Sequence, residues 1–146
     1  MALDPQGGTH LAWTITEDLA GLGGVYVASL PQSPHDAPAR PERIGPRGDH
    51  LRLAAGADAL VHLAWQDGGD LFYGSSANWA KLQLVDHDLG ANDVTALSVG
   101  REGLAHLAWT REGALWSAWS LQWAATRARL FSPLQATGLR AIVDRQ

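Results

Sequence analysis

The four-residue run HLAW occurs three times in the 146-residue chain, at positions 10–13, 62–65 and 106–109. The second and third copies are 44 positions apart, and the first copy lies 52 positions before the second. Spacings of this size indicate repeated supersecondary units, each of which buries its apolar face against the next unit. The repeat therefore limits the chain to an architecture of stacked units.

The similarity between the second and third copies extends beyond HLAW, because a step of 44 positions also relates Phe72 to Trp116 and Trp79 to Trp123. After each of these two runs, a glycine-containing turn precedes alternating apolar and polar residues, a pattern that predicts a β-hairpin. Another apolar run precedes each HLAW. Each unit is therefore predicted to contain four short strands, designated a to d, with HLAW on strand b.

Four-stranded antiparallel units of this period are typical of β-propeller blades. We expect an all-β chain with three blades in a single repeat domain, covering approximately residues 6–49, 50–92 and 93–135. Three blades do not close a ring, since propellers have at least four. The chain is therefore expected to need further blades from elsewhere.

The C-terminal segment Gly138–Gln146 aligns with strand a of the later units and is in register to pair with an N-terminal strand b. We expect residues 136–146 of a partner chain to complete the first blade, so that a homodimer closes a six-bladed ring by strand exchange. Such pairing would also cover an exposed strand edge. The alternative is a fragment of a longer propeller, in which Met1–Gly8 is itself the end of a strand a.

The segment ALDPQGGTHLAW at Ala2–Trp13 resembles the first half of the BNR or sialidase-type repeat. Ser75–Trp79 (SSANW) and Ser120–Trp123 (SLQW) resemble shortened Asp-box turns of that family, although they lack its Ser-x-Asp-x-Gly-x-Thr-Trp core. The resemblance implies propeller blades with degenerate Asp boxes. A sialidase-like enzyme would need an arginine cluster, acidic partners and a tyrosine nucleophile, but Tyr26 and Tyr73 both fall at interior positions of strand c.

The composition limits the class of protein. Hydrophobic residues make up 46% and charged residues 18%, values that predict a packed core rather than disorder. A formal charge of −4 argues against a nucleic-acid partner, and no apolar run approaches the ~20 residues of a membrane span. The chain has no cysteine for disulfides or thiolate metal sites, its first residues lack a signal-peptide pattern, and no cofactor is expected.

The histidines and tryptophans of HLAW recur in every unit, so we expect them to pack between blades. Trp119 is different, because its counterparts in the other units are Ser75 and Ser29. A tryptophan that occurs in one unit only is a better ligand candidate than one present in all, and an exposed indole can stack on a sugar ring. The candidate ligand-binding residues are therefore Trp119, Trp116, Trp79 and Trp123.

Asp86, His87 and Asp88 place two carboxylates and an imidazole in the link between strands d and a. Alternating carboxylates in a loop can hold Ca²⁺, but three short side chains supply too few oxygen ligands for a complete site. An ordinary acidic turn is the simpler interpretation. No metal site is therefore predicted, and these three residues are kept only as candidates.

No catalytic triad or carboxylate pair can be assembled from the sequence, so an enzyme is not expected. We expect a non-catalytic, lectin-like binding module whose ligand is a carbohydrate and whose repeated shallow sites gain by avidity. A scaffold that binds proteins and no small molecule is the alternative from a different class. A degenerate sialidase-like glycosidase ranks third.

Overall fold

The computed structural model describes residues 1–16, 21–31, 33, 35, 37, 39–93 and 95–131. Within them the chain forms three four-stranded antiparallel sheets, and consecutive strands are neighbours in each sheet. The predicted all-β chain of repeated four-stranded units is thus confirmed.

The first sheet contains β1 (Ala2–Leu3), β2 (Thr9–Ile15), β3 (Gly24–Ser29) and β4 (Glu42–Gly45). The second sheet contains β5 (Asp49–Ala55), β6 (Val61–Asp67), β7 (Asp70–Ser75) and β8 (Gln83–Asp86). The third contains β9 (Thr95–Val99), β10 (Ala105–Arg111), β11 (Ala114–Trp119) and β12 (Ala128–Phe131), with the one-turn helix α1 (Trp123–Thr126) before β12.

The register between strands b and c is the same in all three sheets. The HLAW histidine lies opposite the last residue of strand c, and the HLAW tryptophan lies opposite an aromatic residue. The pairs are His10 with Ser29, His62 with Ser75, His106 with Trp119, Trp13 with Tyr26, Trp65 with Phe72, and Trp109 with Trp116. The sequence repeat is therefore a repeat of side-chain positions as well as of strands.

Turn chemistry explains where these strands end. The turn between strands a and b needs a left-handed residue three positions before the HLAW histidine, and this is Gly7 at φ 86°, Ala59 at φ 61° and Gly103 at φ 73°. The hairpin between β6 and β7 turns on Gly68 and Gly69, both with positive φ. Two successive left-handed residues are characteristic of the tight hairpin that suits twisted strands.

The three sheets stack face to face, with one apolar cluster at each of two junctions. Between the first and second sheets the cluster contains Val25, Val27, Ile44, Leu63 and Trp65. A larger cluster of buried residues joins the second and third sheets: Ala64, Leu71, Tyr73, Val85, Leu89, Ala105, Leu107, Trp109, Ala118 and Trp123. The units thus stack as blades do, but the described residues do not close into a ring.

The place of strand a in the first sheet is taken by β1, in which Ala2 lies opposite His10 and Leu3 opposite Thr9. The N-terminal segment Met1–Gly8 therefore supplies a short strand a, as one interpretation of the sequence expects. Residues 132–146 lie outside the described part of the chain, so strand exchange through Gly138–Gln146 stays a prediction, and it would require β1 to leave this edge of β2. In the part of the chain that is described, no helix has the length and hydropathy needed to cross a membrane.

Candidate functional site

The repeated histidines and tryptophans lie mainly at the junctions between sheets. His62 is buried, with Nδ1 2.6 Å from the hydroxyl oxygen of Tyr73, and burial lowers the pKa of this imidazole. Burial also raises the pKa of Tyr73 to about 12. Trp65 and Trp109 are completely buried. These side chains therefore serve packing and are not open to a ligand.

A pocket of about 170 Å³ opens between the first and second sheets, at the end where β2 begins and β3 ends. This is room for several water molecules, each of which takes about 30 Å³ in the liquid. The indole of Trp79 forms part of its wall, and Val27 lies at its apolar side. Its polar lining comes from His10, Ser29, Arg40, Glu42 and Ser76.

The pocket exists because a small residue stands where the next unit has a large one. Val27 in β3 occupies the position that Tyr73 occupies in β7, as the shared register shows. At the second junction the Tyr73 ring meets Trp123 edge to face, with centroids 4.9 Å apart. Trp79 is the repeat counterpart of Trp123. Whereas Trp123 contacts the ring of Tyr73, Trp79 faces Val27 across the cavity.

The polar side of the second junction is closed as well. The indole N–H of Trp123 donates a 2.6 Å hydrogen bond to Oε1 of Gln83. In the first sheet the register places Glu42 at the position of Gln83. Glu42 and the preceding Arg40 are exposed at the rim of the pocket. The first junction therefore presents both a carboxylate and a guanidinium to solvent beside Trp79.

A relay of three side chains fixes the imidazole in this pocket. His10 Nε2 lies 2.9 Å from Asp4 Oδ2, and His10 Nδ1 lies 2.8 Å from the hydroxyl of Ser29. The hydrogen bond from His10, with a second from the backbone N–H of Gly8, lowers the pKa of Asp4. An ionised Asp4 accepts hydrogen from Nε2 of His10, and in the neutral imidazole Nδ1 is then the acceptor for the Ser29 proton. The remaining Ser29 lone pairs are left for an outside donor.

Trp119 lies on the outer face of the third sheet and does not line this pocket. Its side chain is 47% exposed, and its ring centroid is 4.1 Å from that of His106. Burial lowers the pKa of His106, which favours the neutral imidazole beneath the indole. Trp119 is thus an exposed aromatic surface rather than the wall of a cavity.

Trp123 and Trp116 are enclosed by their neighbours. Trp123 is only 6% exposed and is held by the contacts described above. Trp116 lies beneath the guanidinium of Arg111, 4.6 Å from the ring centroid, and a second guanidinium, from Arg129, is 6.0 Å away. The indole N–H of Trp116 is buried and has no hydrogen-bond partner among the described residues. Both rings contribute to the junction of the second and third sheets.

The three acidic-loop candidates do not converge. Asp86 is 1% exposed, and its carboxylate accepts hydrogen bonds from Arg111 at 2.7 Å and Arg127 at 2.6 Å. His87 and Asp88 are exposed and bond to each other, 2.6 Å apart. Within the described ranges, no group of three His, Cys, Asp or Glu side chains could hold a metal ion. Asp86 is therefore a structural anion between two cations.

Of the four predicted ligand-binding tryptophans, only Trp79 lines the pocket. Sequence reasoning missed its polar partners. The contrast between Val27 and Tyr73 at equivalent repeat positions was a usable signal, because a small residue facing a repeated tryptophan leaves a void. No protein-family model matches the chain, and a comparison with curated proteins finds no match.

Proposed function

We propose that the protein is a non-catalytic binding module that takes up a carbohydrate in the pocket beside Trp79. The observation that carries this proposal is the open first junction, since the equivalent second junction is filled by Tyr73 and Trp123. An indole wall offers a flat apolar surface for the C–H face of a sugar, and polar groups beside an apolar wall fix the orientation of a small ligand.

The polar groups of the pocket suit a ligand with several hydroxyls. Ser29 presents acceptor lone pairs when His10 is neutral, because the Ser29 proton is then directed to His10 Nδ1, 2.8 Å away. Glu42 adds a carboxylate acceptor and Arg40 adds donors at the rim. Acceptors and donors thus surround one apolar wall, which is the arrangement expected for the alternating hydroxyl and C–H surface of a sugar ring.

The pocket-filling substitution Val27→Tyr tests the proposal, because it copies the second junction into the first. We expect binding of the wild-type chain to a glycan array, competition by the free sugar, and loss of both signals in Val27→Tyr with the fold retained. Asp88→Ala, in an exposed loop remote from these lining residues, is the matched control and should bind as the wild type does. Absence of glycan binding by the wild type would instead favour a protein-binding scaffold.

The relay of Ser29, His10 and Asp4 favours a second candidate function, nucleophilic hydrolysis of a small ester. Its imidazole uses Nδ1 toward the serine, whereas the serine hydrolase template uses Nε2. Ser29 also lies in the regular ladder of β3 opposite His10 rather than on the strained turn that presents the nucleophile of α/β-hydrolases. Binding therefore ranks first, and a chromogenic ester assay of the wild type against Ser29→Ala separates the two functions.

The glycosidase alternative gains no support from the tyrosines. The Tyr26 hydroxyl donates to the backbone carbonyl of Leu22 at 2.7 Å, and Tyr73 is buried at the second junction with its raised pKa. Neither residue lines the pocket. A tyrosine nucleophile near a bound sugar is therefore not part of the proposal.

A further inference from the structure

The outer face of the first sheet carries residues most of whose repeat counterparts are buried in the other two sheets. We define this face by Leu11, Trp13, Tyr26 and Ala28, all of which are only partly buried. Their counterparts in the second sheet include Leu63 and Trp65, and those in the third include Leu107, Trp109 and Ala118; all five are completely or almost completely buried. In those sheets the preceding sheet covers the face, whereas no sheet of the described part of the chain covers this face of the first sheet.

The outer face of the third sheet, at the opposite end of the stack, is also uncovered among the described residues. We define it by His106, Ala108, Leu115, Ser117 and Trp119, which are partly buried or exposed. The corresponding face of the second sheet is covered by the third sheet, and the counterparts of the first four residues are buried there: His62, Ala64, Leu71 and Tyr73. The counterpart of Trp119 is the partly buried Ser75, and Thr110 on the same strand is buried, as its counterpart Gln66 is. The two outer faces are therefore the two halves of the junction that the chain already forms twice.

On the first outer face, Trp13 and Tyr26 have the same stacked arrangement as the equivalent pair in the second sheet, which the first sheet covers. Trp13 and Tyr26 stack with centroids 5.8 Å apart and planes 15° apart. Trp65 and Phe72, which the first sheet covers, stack at 5.6 Å and 24°. The surface that a preceding sheet would contact thus has the same shape in both sheets.

We propose that the outer face of the third sheet packs against the outer face of the first sheet of a second copy of this chain. The contact is heterologous, and a two-fold axis that forms it twice closes a ring of six sheets. The occupant is a second copy because the two outer faces occupy the same strand positions as the two faces that meet at each internal junction. This inference does not rest on the carbohydrate proposal, since it is argued from the burial of the two outer faces, although Leu11 and Ala28 also border the pocket.

Solution mass tests the proposal directly. Light scattering of the wild type at micromolar concentration is expected to give twice the chain mass of 15.6 kDa. Ala28→Arg blocks the first outer face and Ser117→Arg blocks the third, so each variant alone is expected to be a monomer. Near-ultraviolet circular dichroism of the tryptophans and cooperative thermal unfolding check that both variants remain folded.

Mixing the two variants distinguishes this contact from any other dimer. A ring of one Ala28→Arg chain and one Ser117→Arg chain has one intact junction and one junction with two opposed arginines, so the mixture regains dimer by its intact junction. A contact between identical faces would leave one single variant dimeric and would show no recovery on mixing. Either result, or a monomeric wild type, would overturn the proposal, and Asp88→Arg in an exposed loop should remain a dimer.

Discussion

The carboxylate of Asp86 accepts a 2.8 Å hydrogen bond from the indole N–H of Trp109, across the junction between the second and third sheets. The register places Gly45 at the position of Asp86 in the first sheet. Consequently the indole N–H of Trp65 is buried without a hydrogen-bond partner among the described residues. The equivalent indoles of two junctions built from the same repeat are therefore held differently: Trp109 bonds to a charge cluster, whereas Trp65 is enclosed by packing.

Removal of the Asp86 carboxylate should be strongly destabilising. In Asp86→Ala, two guanidinium groups and one indole N–H lose their shared acceptor in a mostly buried place. Breaking a buried ion pair from one side costs about 3–5 kcal/mol. We expect a loss of this order in the free energy of unfolding, measured by urea denaturation. Glu102→Ala, at an exposed carboxylate whose φ is not positive, should change it by less than about 0.5 kcal/mol, and equal effects would contradict the assigned role.

The close packing at the first junction should not tolerate a methyl group at Gly45. A Cβ there would lie 2.8 Å from Cζ2 of Trp65, and the indole is confined on all sides. Overpacking of this kind costs about 1–3 kcal/mol. Gly45→Ala is therefore expected to lower the thermal unfolding temperature. In the control Gly90→Ala, the nearest atom to the new Cβ is Asp93 Oδ2 at 3.4 Å, so little change is expected there.

Ala59→Gly should stabilise the protein. Ala59 adopts φ 61° at a turn position where the other two units have Gly7 and Gly103. The left-handed conformation costs an alanine about 1–2 kcal/mol, which exceeds the ~0.5–1 kcal/mol of extra chain entropy that glycine loses on folding. We expect a net gain of about 0.5–1 kcal/mol in urea denaturation. Ala57→Gly, where φ is not positive, should give no gain, and a gain there would point to another cause.

The buried imidazoles should make the stability depend on pH. Burial holds the pKa of His62 below its ordinary value of 6.5, so the unfolded chain binds a proton at a higher pH than the folded chain does. The resulting stability is fully present above pH 6.5 and is lost as the pH falls through the lowered folded pKa. His106 acts in the same direction.

His62→Asn is the variant that measures this contribution. The amide keeps a hydrogen-bonding group near Tyr73 and does not titrate. We expect the free energy of unfolding of the variant to fall less than that of the wild type between about pH 7.5 and 5.5, which brackets the ordinary histidine pKa. Parallel pH profiles of the two proteins would mean that His62 stays protonated or neutral to the same extent in both states.

Much of the architecture could be predicted from the sequence, because the controlling signals are local. The HLAW spacing, the alternation of apolar residues and the glycine turns each lie within a contiguous stretch, and they indicated three units of four antiparallel strands with HLAW on the second strand. The ligand-binding candidates were harder to rank. Trp79 and Trp123 occupy equivalent sequence positions, yet one borders a cavity and the other is buried.

By itself, the sequence determined a chain of three four-stranded units and marked the residues that repeat. Only the tertiary structure decided which of those residues face a void, a charge or a covered surface. Asp86 acquires its role from Arg111 and Arg127, which lie 25 and 41 positions away. Exposure, cavities and buried ion pairs depend on the side chains of the neighbouring sheet. The periodicity of one strand does not indicate which side chains of the next sheet contact it.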